Sequence, residues 1–246
     1  MLEFFDCNCC YGYFPRPVFR AAKTSLELLQ EMGFCGISRA LVYNTEMYFH
    51  SPLEGNPILL EDIKEYPQLM PTRVILPVQT GEQPENSVFF KELKENNIKI
   101  LLSFPNESHY FLDRETFGTL FEEMSIKKIP IMIKATLDQI KHVLRDFPEL
   151  IVIAISQGPH PLDRYFRPLL ESYHNFYLDI STYLSESGIE SLCQKYGPSR
   201  FLFGTGYPAN YMGSAVLRLT QADIPQDYKE AIASRNLDRI LTEVSL

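Results

Sequence analysis

The sequence predicts a closed (β/α)8 barrel, the TIM-barrel architecture, and three observations carry that prediction. Eight stretches read as strands, and each is followed by a helical stretch. Strands such as Leu150-Ile151-Val152-Ile153-Ala154-Ile155 are apolar on both faces, as a strand packed between a barrel interior and an outer layer of helices must be. The length of 246 residues suits eight βα units, and no linker, low-complexity tract or composition break marks a boundary, so residues 1–246 are expected to form one barrel domain. The competing open doubly wound sheet normally carries a glycine-rich phosphate turn after its first strand, where Gly12 stands alone.

The elements follow in order. Phe4 to Gly12 reads as the opening strand, and Pro17 to Gly33 as a helix with Leu26, Leu28, Leu29 and Met32 as apolar stations and Gly33 as its stop. Ile37 to Tyr43 is the second strand. The aperiodic stretch from Asn44 to Asn56 reads as a loop, and Pro57 to Tyr66 as a helix ending before Pro67. The remaining strands are Arg73 to Val78, Ile98 to Phe104, Pro130 to Ala135, Leu150 to Ser156, Phe176 to Ser181 and Phe201 to Gly206. Between them fall helices at Ser87 to Glu95, Arg114 to Met124, Leu137 to Arg145, Asp163 to Tyr173 and Glu186 to Tyr196, with further helices running to Leu241.

Composition narrows the function. A formal charge of −8 with no run of Lys and Arg argues against nucleic acid and anionic membrane as partners. The amino terminus carries acids where a signal peptide wants a basic region, and no apolar run approaches the ~18 residues of a spanning helix, so a cytoplasmic protein is expected. Cys7, Cys9, Cys10, Cys35 and Cys193 are odd in number with no framework-like spacing, as reduced thiols would be. Cys7 and Cys10 have CxxC spacing, but they lie along an extended strand with no second pair. Strand alternation places Asp6, Asn8 and Cys10 on one face and Cys7 and Cys9 on the other.

In a barrel, function gathers at the carboxyl ends of the strands. Those ends carry Asn8 and Cys10, Tyr43 and Asn44, Pro77 and Gln79, Ser103 and Asn106, Lys134 and Thr136, Gln157 and His160, Asp179 and Ser181, and Thr205, Gly206 and Tyr207.

At these positions the chain resembles the amidohydrolase-related family, metal-dependent barrel hydrolases and decarboxylases whose first strand ends in Asp-x-His-x-His. Asp6-Cys7-Asn8-Cys9-Cys10 stands where that motif falls, and Phe203-Gly204-Thr205-Gly206-Tyr207-Pro208 resembles the family's Phe-Gly-Ser/Thr-Asp-Tyr/Trp-Pro ending. Glu65-Tyr66-Pro67 with Thr72 to Val78, and Asn236 with Leu237, Arg239 and Ile240, extend the likeness from end to end. The resemblance implies a metal-dependent-hydrolase-like barrel. It also locates departures from the family pattern. The first-strand histidines correspond to Asn8 and Cys10, the fifth-strand histidine to Lys134, the sixth-strand histidine to Ile155 and the eighth-strand aspartate to Gly206. Neutral Asn, apolar Ile, side-chain-free Gly and cationic Lys are poor ligands, so the usual divalent metal site is expected to be absent and the cofactor is unknown.

The candidate catalytic groups are then Lys134, Asp179 and Cys10, with Asn8, Gln157, His109, His160, Thr205 and Tyr207 as candidate substrate-binding groups. A buried Lys134 needs a partner. It is expected to pair with Asp6 or Asp179, to bind an anion, or to form a Schiff base with a carbonyl substrate. His109 and His160 sit in loops on the catalytic rim, where an acid or base near neutral pH is available. Tyr11, Tyr13, Tyr43, Tyr48 and Tyr207 are candidates for an aromatic wall. The resemblance implies a hydrolase or decarboxylase acting on a small polar, carboxylate-bearing molecule without the usual metal. The alternatives are a non-catalytic small-molecule-binding barrel and a zinc enzyme using Cys10. Self-association as a homo-oligomer stays open.

Overall fold

The computed structural model describes residues 2–158 and 161–246. Its strands are β1 (Phe4–Tyr11), β2 (Ile37–Asn44), β3 (Leu69–Pro71), β4 (Arg73–Val74), β5 (Leu101–Ser103), β6 (Ile131–Ile133), β7 (Val152–Ala154), β8 (Phe176–Asp179) and β9 (Phe201–Leu202). Every pairing between them is parallel, in the order β1-β2-β3 and β4 through β9. Only Thr72 separates β3 from β4, and these two segments act as one barrel strand. Leu69–Pro71 pairs with β2, whereas Arg73 and Val74 pair with β5. The ring closes where β1 meets the residues after β9. Cys7 donates its amide to the Phe203 carbonyl at 2.9 Å, Gly206 to the Asn8 carbonyl at 2.8 Å, and Cys10 to the Tyr207 carbonyl at 3.0 Å.

The helices are α1 (Ser25–Cys35), α2 (Thr45–Phe49), α3 (Pro52–Ile63), α4 (Asn86–Glu95), α5 (Arg114–Lys127), α6 (Leu137–Asp146), α7 (Asp163–Ser172), α8 (Gly188–Tyr196), α9 (Met212–Gln221), α10 (Gln226–Glu230) and α11 (Asn236–Thr242). Among the described residues no helix is long and apolar enough to cross a membrane. The strands are buried on both faces; Val152, Ile153 and Ala154 are each fully covered. This is the double burial that their continuous apolar pattern requires.

Local chemistry moves several boundaries. The first helix starts at Ser25, because the Thr24 side chain accepts the Glu27 amide and caps it. Gly33 lies inside that helix, and Gly36, at φ 75°, ends it. The stretch 44–56 contains α2 and the start of α3. Asn44 caps α2 by accepting the Met47 amide at 3.1 Å, and Pro52 opens α3. These capping residues were the available signal, masked by the lack of a hydrophobic period. The strand expected over Arg73 to Val78 ends early, and Val78–Thr80 forms a 3-10 turn.

Strict alternation also fails in β1. The register slips between Asp6 and Cys9, so a bulge sits at the centre of the motif. Within it, Asp6 accepts the amide of Asn8 two residues on, at 2.9 Å.

Candidate functional site

The carboxyl end of the barrel holds a cavity of about 310 Å³. Its polar lining comes from Asn8, Cys10, Thr45, Lys134 and Ser156, and its apolar wall from Phe14, Val18, Tyr43, Tyr48, Phe49 and Tyr207. The aromatic wall is packed edge to face. The Tyr48 ring lies 4.7 Å from Phe49 and 4.8 Å from Phe104, with interplanar angles of 89° and 86°. Of the five tyrosines proposed for the wall, three line the cavity. Tyr13 is exposed, and Tyr11 is buried with its hydroxyl donating to Asp62 Oδ2 at 3.1 Å.

Under the cavity floor lie two buried carboxylates linked through Asn8. Asp6 Oδ1 accepts the amides of Asn8 and Thr205, both at 2.9 Å, and Oδ2 accepts the Thr205 hydroxyl at 2.5 Å. Asp179 Oδ1 accepts the Ser181 amide at 2.7 Å. Its Oδ2 takes the Asn8 side-chain amide at 2.9 Å, the Ser181 hydroxyl at 2.5 Å and the Ser156 amide at 3.3 Å. Burial pushes the Asp6 carboxyl up to about 6 and raises Asp179 as well, while the hydrogen bonds pull both back.

Backbone positions around this pair fit it closely. A Cβ on Gly204 would stand 2.2 Å from Asp179 Oδ1, so only glycine admits the carboxylate there. Ser156 has φ 59°, an uncommon conformation for a residue with a side chain. That conformation directs its amide to Asp179, and its hydroxyl accepts from Asn8 at 3.3 Å.

Lys134 pairs with neither Asp6 nor Asp179. Its ammonium donates to the Tyr48 hydroxyl, stands 3.5 Å from Glu107 Oε1 and lies 4.3 Å from the centre of the Tyr48 ring. Tyr48 in turn donates to Glu107 Oε1 at 2.5 Å. The Lys134 side chain is 36% exposed, because the strand end opens onto the rim and not onto the interior. Glu107 follows β5 in a loop and carries no motif, so its role depended on the folded rim. The Cys10 thiol is held protonated, pushed up to about 12 by burial.

The other candidates separate. Thr205 is fully buried and bonded to Asp6, so it belongs to the floor. Gln157 donates to the carbonyls of Ala135 and Ile155, both at 3.1 Å, and ties β6 to β7 without lining the cavity. Tyr207 contributes its ring to the wall, while its hydroxyl accepts the Ala22 amide at 2.7 Å and donates to the Arg20 carbonyl. His109 is exposed at φ 56° and lies outside the lining. His160 lies outside the described residues. Thr45, Ser156, Phe14 and Phe49 line the cavity without having been singled out. Thr45 stands directly after a strand end, which was the usable signal.

No protein-family model and no curated protein matches the sequence. Solved structures do match it along nearly their whole length. An uncharacterized TIM-barrel protein from Bordetella bronchiseptica is 18% identical with a TM-score of 0.76, covering 98% of this chain and 99% of that one. 2,6-Dihydroxybenzoate decarboxylase from Rhizobium is 12% identical with a TM-score of 0.75 and coverages of 98% and 99%. 4-Oxalomesaconate hydratase from Rhodopseudomonas palustris is 17% identical with a TM-score of 0.69 and coverages of 98% and 96%. The chain has the TIM-barrel fold that its alternating strands and helices implied.

A divalent ion of the kind implied by the resemblance to the amidohydrolase-related family does not fit the described residues. Every oxygen of Asp6 and Asp179 is engaged by a protein donor. Asn8 directs its amide hydrogens at Asp179, Ile155 is fully buried, and Lys134 brings a positive charge to the rim. Among the described residues no group of three or more His, Cys, Asp or Glu side chains is arranged to hold a metal.

Proposed function

We propose that the protein is a small-molecule-binding barrel, whose mouth cavity receives a ligand and whose buried acids serve the barrel's architecture. The observation that carries this reading is the complete engagement of Asp6 and Asp179. Neither lines the cavity, both are fully buried, and each carboxylate oxygen already accepts from the protein. A hydrolase needs a group free to take a proton from water or an ion that acidifies it. Of the candidate nucleophiles, Cys10 is a protonated thiol pushed up to about 12 by burial, and the Lys134 ammonium is held by Glu107 and Tyr48.

Binding, by contrast, needs only the cavity. A space of about 310 Å³ with an aromatic wall and a few fixed polar groups is of the size and make-up that small ligands occupy. Single-ring compounds, such as that in the name of the dihydroxybenzoate decarboxylase neighbour, are of matching size.

The experiment is paired. Turnover is followed on panels of amides, lactones and carboxylates with wild type, Lys134→Met and Cys10→Ala. Binding is followed by the shift in melting temperature across the same panels. Saturable shifts with equal background rates in all three proteins are expected. A rate that disappears in either variant overturns the binding reading in favour of the hydrolase that the resemblance implies.

A further inference from the structure

A second cavity, of about 540 Å³, lies on the flank of the barrel, and it shares no lining residue with the mouth. We infer that it is a separate binding site, for an elongated apolar molecule whose head offers an oxygen acceptor to the side-chain amide of Gln83. Two independent observations carry this.

The first is the shape and chemistry of the cleft. Asn56, Pro57 and Leu60 come from α3 and Glu92 from α4, while Arg73, Val74 and Leu76 run along the extended segment between the two helices. Arg73 to Leu76 covers about 10 Å of extended chain, so the cleft is longer than a single ring. At one end Arg73 donates to Glu92 Oε2 at 2.7 Å and packs its guanidinium on the Phe89 ring at 4.6 Å. At the other stands the loop that carries Gln83 and Pro84. Between the ends the surface is apolar, from Pro57, Leu60, Val74, Leu76 and Ile98, and an apolar chain laid along it leaves water.

The second is an amide with one side unused. Gln83 lines the cleft and is 6% exposed. Its Oε1 accepts the Leu76 amide at 3.0 Å, and because a backbone N–H can only donate, this bond settles which end of the side chain is the nitrogen. Nε2 has no hydrogen-bond partner among the described residues, and it is not sealed in the interior: solvent reaches it. Polar groups of residues this deeply buried almost always have partners. With the rest of Gln83 covered, the cleft is the space its two amide hydrogens face. The group that answers them is an acceptor, the carbonyl oxygen of an amide, ester or carboxylate.

Two probes with the same eight-carbon chain test the inference, octanamide with an acceptor in its head and octylammonium without one. Each is titrated calorimetrically into the full chain near neutral pH. Octanamide is expected to bind about tenfold tighter, the factor that one hydrogen bond's free energy implies. Gln83→Glu keeps an oxygen for the Leu76 amide and exchanges the donor for a second acceptor. It is expected to melt with the wild type and to lose at least that factor for octanamide. In NMR spectra of the wild type, the Gln83 side-chain amide signals are expected to move as octanamide is added, a readout that needs no variant. Binding of octylammonium as tight as that of octanamide overturns the acceptor head. Absence of octanamide binding, equal affinity of Gln83→Glu and wild type, or Gln83 signals that stay in place while octanamide binds overturns the flank site. None of these outcomes touches the reading of the mouth, whose lining is unaltered throughout.

Discussion

Asn8 donates its side-chain amide to Asp179 Oδ2 at 2.9 Å, joining β1 to β8 across 171 positions of sequence. The same residue donates its backbone amide to Asp6, so one asparagine holds two buried acids at once. Asn8→Leu is expected to cost about 1–3 kcal/mol, because Asp179 keeps its Ser156 and Ser181 donors but loses the one that bridges the strands. Asn8→Asp, which sets a third carboxyl beside the pair, is expected to cost more, and increasingly so as pH rises. Urea unfolding of the two variants at mildly acidic and mildly alkaline pH checks both; equal losses at the two pH values contradict the arrangement.

Stability is expected to fall as pH rises through the acid range. Burial raises Asp6 from 3.8 to about 6, so between these values the folded chain holds a proton that the unfolded chain has released. For a carboxyl raised in this way, the stabilising contribution is full below pH 3.8, is lost as pH climbs to about 6 and stays flat above. Burial raises Asp179 too, and its contribution has the same sign. A shift of about two units amounts to roughly 3 kcal/mol for Asp6 alone. Unfolding free energies at about pH 4 and about pH 7 should differ in this direction, with a smaller difference in Asp6→Asn. An unchanged slope in that variant removes Asp6 as the source.

Two glycines should respond in opposite ways to alanine. Gly204→Ala drives a methyl group into Asp179 and is expected to cost about 3 kcal/mol or to prevent folding. Gly33→Ala meets nothing within 4 Å in the interior of α1 and should stabilise the chain by about 0.5–1 kcal/mol. Melting temperatures of the pair decide the matter, and a neutral Gly204→Ala would show that the floor yields more easily than its packing indicates.

The thiols should be unequally reactive. Cys7, Cys9, Cys10 and Cys193 are buried, whereas Cys35 is partly exposed. Burial raises the Cys35 thiol as well, so its reaction in the folded chain should be slow. Alkylation with iodoacetamide followed by peptide mass mapping is expected to mark Cys35 first and the others only after denaturation. Labelling of Cys10 at the rate of Cys35 would point to an activated thiol at the mouth.

The barrel was legible in the sequence because its evidence is local. Apolar runs of strand length, capping residues and the regular alternation of the two periodicities are written within a few residues of one another, and eight repetitions leave one closed arrangement. The strand-end list likewise brought Asn8, Cys10, Lys134 and Asp179 into one region. Bulges were not legible. The slip in β1 arises from its pairing with β2, a contact between segments some thirty residues apart.

What the sequence by itself determined is the fold and which side chains stand at the strand ends, since residue identity sets periodicity and donor chemistry. What the tertiary structure decided is which charge answers which. Lys134 carries the same ammonium whether it meets Asp6, Asp179 or a ligand; the rim of the folded barrel brings it to Glu107 and Tyr48. Asp179 is an acid in any conformation, and closure of the barrel turns it into an acceptor for Asn8, Ser156 and Ser181. These partnerships span strand ends far apart in the chain, and their energies depend on burial and on distances of a few ångströms.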